Sequence, residues 1–205
     1  MLQTKNKILL IPYFWDQDLY KQLKKESLKT HKIYLSEHLI FDNYSIITGF
    51  LGYPQILTLL NMININKKEF FFLGTAGSLN KSIIEPVSIN ITDIYSSSIY
   101  KLFSKTKMLP LNIISNKQIK KGTCVSVDIP IRETKNWLKT QRKQNIDAVE
   151  MEIFPIRVFI KKPLTAIIII TDIVTGDKNI KLMNKKLIKN EFLNSFNMII
   201  KLLSK

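Results

Sequence analysis

The chain is poor in the residues on which most recognisable chemistry is built. It holds one cysteine, Cys124, in 205 residues. No intramolecular disulfide and no cysteine-based metal cluster can form, and a reducing compartment, the cytoplasm, is the expected home. The two histidines, His31 and His38, lie in no local Ser-His-Asp or Cys-His arrangement and lack the spacing of zinc ligands on a helix. Both read as structural, and no metal site is expected. Arginine is scarce too: Arg132, Arg142 and Arg157 are three among 31 basic residues. The longest uninterrupted apolar stretch, Ala166 to Ile170 with Leu164 just before it, falls far below the ~20 residues that a membrane-spanning helix needs. At the start, MLQTKNKILLIPYFWDQD has an apolar run that Pro12 interrupts and Asp16 and Asp18 follow, with no small-residue cleavage site. It reads as a first strand rather than a targeting segment.

What is present is ordinary for a folded protein. Hydrophobic residues make up 45% and charged residues 23%, which excludes wholesale disorder and suits a single domain spanning residues 1–205. The net charge of +15 raises the question of a nucleic-acid partner. Specific recognition of phosphates and bases leans on the planar fork of arginine, whereas this charge is almost all lysine scattered among isoleucine and asparagine. No aromatic-basic motif accompanies it, so it reads as a solvated basic exterior, and neither nucleic acid nor membrane is an expected partner.

Along the chain, Lys7–Ile11 reads as a buried strand, and residues 15–28 carry apolar side chains at helical spacing. Residues 33–35 and Tyr44–Thr48 suggest two more strands, the second running into Gly49 and Gly52. Pro54 can then open a helix through Met62, since proline is tolerated in a first turn. Residues 70–73 form a fourth strand, which the glycines of Gly74-Thr75-Ala76-Gly77-Ser78 turn into a loop. From there the pattern is extended: a half-buried strand over 87–94, a basic turn-like stretch over 101–112, and a strand over 122–127 ending in Asp128. A helix is expected from Pro130 to Gln141, with Glu133 in its first turn. A second follows over 151–160 with Pro155 near its start, then a buried strand over 164–170 and a long helix over 180–203. Strands alternating with covering helices make an α/β sandwich.

Two acidic clusters fall at strand ends, where open α/β sheets bind ligands. Glu150, Met151 and Glu152 close one short apolar run; Thr171 and Asp172 close the next. Glu152 and Asp172 could face one small cavity. Gly74, Thr75, Ala76 and Gly77 could cradle an oxyanion or phosphate, because glycine permits φ > 0 and successive amides can then point into one concavity. The plainer readings are a turn for the glycines, a helix N-cap for Asp172 and a dipole-favoured first turn for the glutamates.

Val149-Glu150-Met151-Glu152 resembles the ribose-binding signature of the nucleoside phosphorylase and nucleosidase superfamily. That superfamily includes purine nucleoside phosphorylases, uridine phosphorylases and methylthioadenosine/S-adenosylhomocysteine nucleosidases. Thr171-Asp172 is similar to its Ser-Asp, residues 73–79 to its Gly-rich turn, residues 48–52 to its Ser-Gly-x-Gly turn, and Ser126-Val127-Asp128 to its base-side segment. Five blocks stand in the right order. The resemblance implies a three-layer α/β/α sandwich with a central mixed sheet, no cofactor, and a homodimer or higher homo-oligomer acting on a purine nucleoside or thionucleoside.

Carried over by position, it implies that Glu152, with Met151 and Glu150, holds the ribose, and that Asp172 acts as the acid at purine N7. Thr171, Val127 and Asp128 would lie on the base side, and residues 74–77 would cradle the nucleophile. Two departures bear on that nucleophile. Where phosphorylases of the family carry an arginine for phosphate, this chain has Phe72, which favours water over phosphate and hydrolysis over phosphorolysis. Where nucleosidases carry a glutamate after the first strand, this chain offers Asp16 or Asp18 to position the water. Pro130 replaces a stacking aromatic of the family. A purine nucleoside phosphorylase and a nucleoside-binding member without catalysis remain the alternatives.

Overall fold

Three apolar strands make the centre of the computed structural model, which describes residues 4–96, 107–116, 119–128, 134–175 and 181–204. β1 (Lys7–Ile11), β5 (Glu69–Ser78) and β10 (Leu164–Ile173) pair in parallel, β1 with β5 and β5 with β10. β4 (Tyr44–Thr48) adds to β1, also in parallel. Near-continuous apolar sequence is what such strands need when helices cover both faces.

Side-chain alternation then splits each strand between two cores. Ile8, Leu10, Phe70, Phe72, Ile168 and Ile170 point to one face, under α2 (Gly52–Asn61) and α4 (Ile153–Ile160). Leu9, Ile11, Phe71, Leu73, Ile167 and Ile169 point to the other, under α1 (Gln17–Glu26) and α5 (Lys185–Leu203). The result is the expected three-layer α/β/α sandwich. Burying each of these side chains stabilises it by roughly 1.5–3 kcal/mol.

The remaining strands make the sheet mixed. β2 (Lys29–Ile33) and β3 (Ser36–Ile40) form a hairpin that pairs antiparallel with β4. β6 (Ser88–Ser96) runs antiparallel to β10, and β7 (Met108–Pro110) antiparallel to β6. β8 (Lys120–Ser126) lies parallel to β6, and β9 (Ala148–Glu150) parallel to β8. β9 also meets the end of β5 in antiparallel register, Gly77 opposite Val149. β11 (Lys181–Leu182) finishes the edge beside β10. α3 (Lys135–Lys143) covers a third, smaller core around Val125, Val127, Leu138 and Val149.

Several boundaries differ from the sequence expectation. The strand predicted at 33–35 is instead the tip of the β2–β3 hairpin, with Tyr34 at φ 54; the polar sequence of β2 hid it. Residues 74–78 are the second half of β5 rather than a turn. α3 starts from the Thr134 cap and α5 from the Asn184 cap. Residues 101–106, residues 130–133 with Pro130 and Glu133, and residue 180 lie outside the described residues.

Candidate active site

Asp172 owes its position to an irregularity in β10. The pairing with β5 runs in register to Ile170 opposite Ala76, then slips so that Asp172 lies opposite Gly77. A bulge of this kind re-aims the side chain that follows it. The Thr171 hydroxyl donates to Asp172 Oδ1 at 2.8 Å. A Cβ at residue 77 would come within 3.0 Å of Asp172 Oδ2 and 2.6 Å of Val174 Cγ2, so only glycine leaves room for the carboxylate. Burial pushes the Asp172 carboxyl above its ordinary value, and the Thr171 hydroxyl opposes that shift without cancelling it.

On the other edge of β5, β9 delivers Glu150, Met151 and Glu152 to the start of α4. Glu152 is 6% exposed, and its Oε1 accepts the Gly52 amide at 2.7 Å. Gly52 can aim that amide because it holds φ 67, a conformation that favours glycine. Burial raises the Glu152 carboxyl, while the Gly52 and Met151 amides pull it back. Met151 is half-buried against the α3 core, with its Cε 3.6 Å from where a Cβ on Gly52 would sit. β9 and β10 therefore flank Gly77 from its two sides, and the two acids leave from those strands.

Other expected site residues are placed differently. Glu150, expected on the ribose, turns into the fold: its Oε2 accepts the amides of Glu152 and Ile153 at 2.5 and 2.7 Å, and its Oε1 shares a hydrogen bond with Ser126 Oγ. Gly74, Thr75, Ala76 and Gly77 do not form the expected glycine turn. They are paired to β10 from Ile168 to Asp172, and among the described residues the positive-φ glycines are Gly49 and Gly52. Gly74 serves packing, since a Cβ there would lie 2.5 Å from the Phe72 ring. Phe72 itself is fully buried. Val127 is a core residue whose amide donates to Glu150 O at 2.8 Å, and Asp128 is half-buried just beyond it. Thr171 is buried and directed at Asp172.

Both acids offered for the water are engaged otherwise. Asp16 caps α1, its Oδ1 accepting the amides of Asp18 and Leu19 at 3.0 and 3.1 Å; its Oδ2 pairs with Lys189 at 3.2 Å. Asp18 lies on the surface, 3.8 Å from Lys21, with 86% of its side chain exposed. Burial alone would raise Asp16, but the Leu19 amide, Lys189 and the Asp18 amide outweigh it and hold the carboxyl below its ordinary value. Its stabilising contribution is complete at neutral pH and is lost as pH falls below 3.8. Asp16→Ala is expected to lower stability by about 1–2 kcal/mol in chemical denaturation at pH 7 and to leave base release intact. The carboxylate beside the first strand's end is Glu37, held by the Tyr20 hydroxyl at 2.6 Å and Lys24 at 2.9 Å. It lines a cavity of about 160 Å³ with Pro12, Thr48 and Gly49.

No protein-family model matches the chain, and no curated protein matches its sequence. Solved structures do match. The Campylobacter jejuni 5′-methylthioadenosine/S-adenosylhomocysteine nucleosidase superposes with a TM-score of 0.67 at 14% identity, over 97% of this chain and 98% of that one. The Chlamydia trachomatis nucleosidase gives 0.65 at 19% identity, over 96% and 98%. A futalosine hydrolase variant from Helicobacter pylori gives 0.65 at 14% identity, over 96% and 98%. The chain has the nucleosidase fold.

Within this nucleosidase fold, the amide that the Glu152 carboxylate accepts comes from outside residues 74–77. The motif at 74–77 looked like a loop, yet the amide that meets a site carboxylate belongs to Gly52, and its signal was the Gly-x-x-Gly spacing before a proline-started helix. Ser126 was noted only as part of a base-side segment, and its bond to Glu150 had no signal in the chain. Among the described residues no group of His, Cys, Asp and Glu could hold a metal ion. No described helix is long and apolar enough to cross a membrane.

Proposed function

We propose that the protein hydrolyses the N-glycosidic bond of a purine-type nucleoside, with Asp172 as the acid and Glu152 as the ribose ligand. The observation that carries this reading is that the two strands paired to β5 at Gly77 lead to the two acids: β10 sets Asp172 opposite Gly77, and β9 sets Val149 opposite it, three residues before Glu152. Cleavage builds positive charge on the sugar and moves electron density onto the leaving base, so it needs a proton donor at the base and negative charge near the sugar. A half-buried Asp172, whose carboxyl is pushed above its ordinary value, supplies the first. Glu152, whose Oε1 already meets one amide, keeps lone pairs for sugar hydroxyls. Water adds across the broken bond, its hydroxyl going to the sugar carbon and, in net, one proton to the base.

Water is favoured over phosphate by two observations. Phe72 is buried in an apolar core, so no arginine stands at that position, and residues 74–77 continue β5 as a strand rather than as a glycine turn with successive amides aimed into one concavity. Proteins that share the fold include nucleosidases for methylthioadenosine and S-adenosylhomocysteine and a futalosine hydrolase, which sets the first substrates to try. Base release from methylthioadenosine, S-adenosylhomocysteine, adenosine, inosine and futalosine should be measured with and without phosphate. Release without phosphate is expected; release that requires phosphate would select the phosphorylase. A second reading, binding without turnover, is favoured by the engagement of Asp16 as the α1 cap and the exposure of Asp18. Nucleoside binding with no release under any condition would select it.

A further inference from the structure

α4 begins without a cap of its own. The first N–H groups of a helix need acceptors, yet Glu152, at the cap position, makes no capping hydrogen bond and takes the Gly52 amide instead. The acceptors come from outside the helix. Glu150 Oε2 takes the amides of Glu152 and Ile153, and Ser126 Oγ takes that of Phe154 at 2.9 Å. Three successive amides are held by two side chains rooted in β8 and β9.

The carboxyls of Glu150 and Glu152 flank one turn, and they are 4% and 6% exposed. Among the described residues no lysine or arginine forms an ion pair with either. Two adjacent buried carboxylates without a cation do not both ionise readily. Besides Glu152, the titratable group facing Glu150 is Cys124 on β8, which Asp147, just before β9, also faces. Burial pushes the Cys124 thiol well up, and Asp147 Oδ2 accepts the Thr123 amide at 3.0 Å. α2 and the end of β5 bring no charged residue. The two Glu150 oxygens are not equivalent. Oε2 meets only N–H donors, whereas Oε1 meets a hydroxyl, the one partner able to accept a proton.

We propose that Glu150 and Ser126 are positioning residues: they supply the cap that Glu152 withholds, and Glu150 does so as a neutral carboxylic acid, which leaves the pair's negative charge on Glu152. That Glu152 faces a sugar rests on the functional reading above; the capping and the protonation do not. Burial and the Glu152 charge push Glu150 up to about 8, in keeping with a neutral form through most of the physiological range. Above that pH a second charge develops two residues from the first, and the turn that presents Glu152 loosens.

The test compares wild type, Glu150→Gln and Glu150→Ala over about pH 5.5–9.5, reading KM and kcat for base release and, separately, thermal midpoints. Glutamine mimics the neutral acid, so Glu150→Gln should rescue what Glu150→Ala loses at neutral pH, about tenfold or more in KM with a smaller change in kcat. It should also abolish the rise in KM that wild type shows near pH 8. The melts read the same proton without substrate. A neutral Glu150 stabilises the fold fully below its ordinary value of 4.5, and this contribution declines as pH rises towards about 8. That decline should be absent in Glu150→Gln. If the glutamine variant keeps the wild-type pH dependence in KM and melting, the positioning role is overturned even where nucleosides are cleaved. If the melts behave as expected but no nucleoside is bound or cleaved, the functional reading fails and the protonated cap stands.

Discussion

Asp172→Asn is expected to lower kcat for base release by about 10²–10⁴-fold, the usual worth of a general acid, while nucleoside affinity changes by less than about tenfold. The amide keeps the shape beside Gly77 and still accepts from Thr171, so β10 and its bulge should survive. What is lost is the proton. Burial raises the Asp172 carboxyl, so wild-type kcat should fall as pH climbs through that elevated value, and the variant should lack that limb. Single-turnover release and equilibrium binding, measured on the same preparation, separate the two effects. A variant that turns over near the wild-type rate would mean that the acid is some other group.

Glu152→Ala should act through binding. A carboxylate that accepts two sugar hydroxyls contributes about 1.5–3 kcal/mol for each charged hydrogen bond, so kcat/KM is expected to drop by about 10²–10⁴-fold, mainly through KM. The same change strands the Gly52 amide in a buried position, which adds to the loss. Substrates lacking the 2′-hydroxyl separate these causes. Wild type should discriminate against them, and the alanine variant should discriminate much less, because the partner of that hydroxyl has gone. Undiminished discrimination would place the sugar elsewhere.

Much of the frame could be read from the chain because burial on both faces leaves a plain mark. Lys7–Ile11 and the isoleucines of β10 announced central strands, and the acids that followed them announced a strand-end site. The Gly-rich stretch misled because glycine signals freedom, whereas here it answers a demand for space: Gly74 yields to the Phe72 ring and Gly77 to Asp172 and Val174. β10 also pairs along the whole stretch and β9 joins the other edge at Gly77, facts of long-range pairing that no local pattern carries. Glu150 misled for a related reason. It and Glu152 are one motif in sequence, but a helix start lies between their tasks, and only the positions of Ser126 and Gly52 reveal which carboxyl serves the backbone. Asp16 matched the region where an acid was sought, and the nearer need, a cap for α1, claimed it.

The antiparallel seam at Gly77 and the parallel one beside it give the gap between the two acids a mechanical character. Asp172 lies on, and Glu152 follows two residues after, a strand laced to the same ribbon of backbone, so the frame beneath them behaves like a fixed gauge rather than a hinge. Drawing them apart would mean unzipping a ladder. Adjustment to different guests then falls to the Gly49–Gly52 approach, the nearby wall with left-handed glycines.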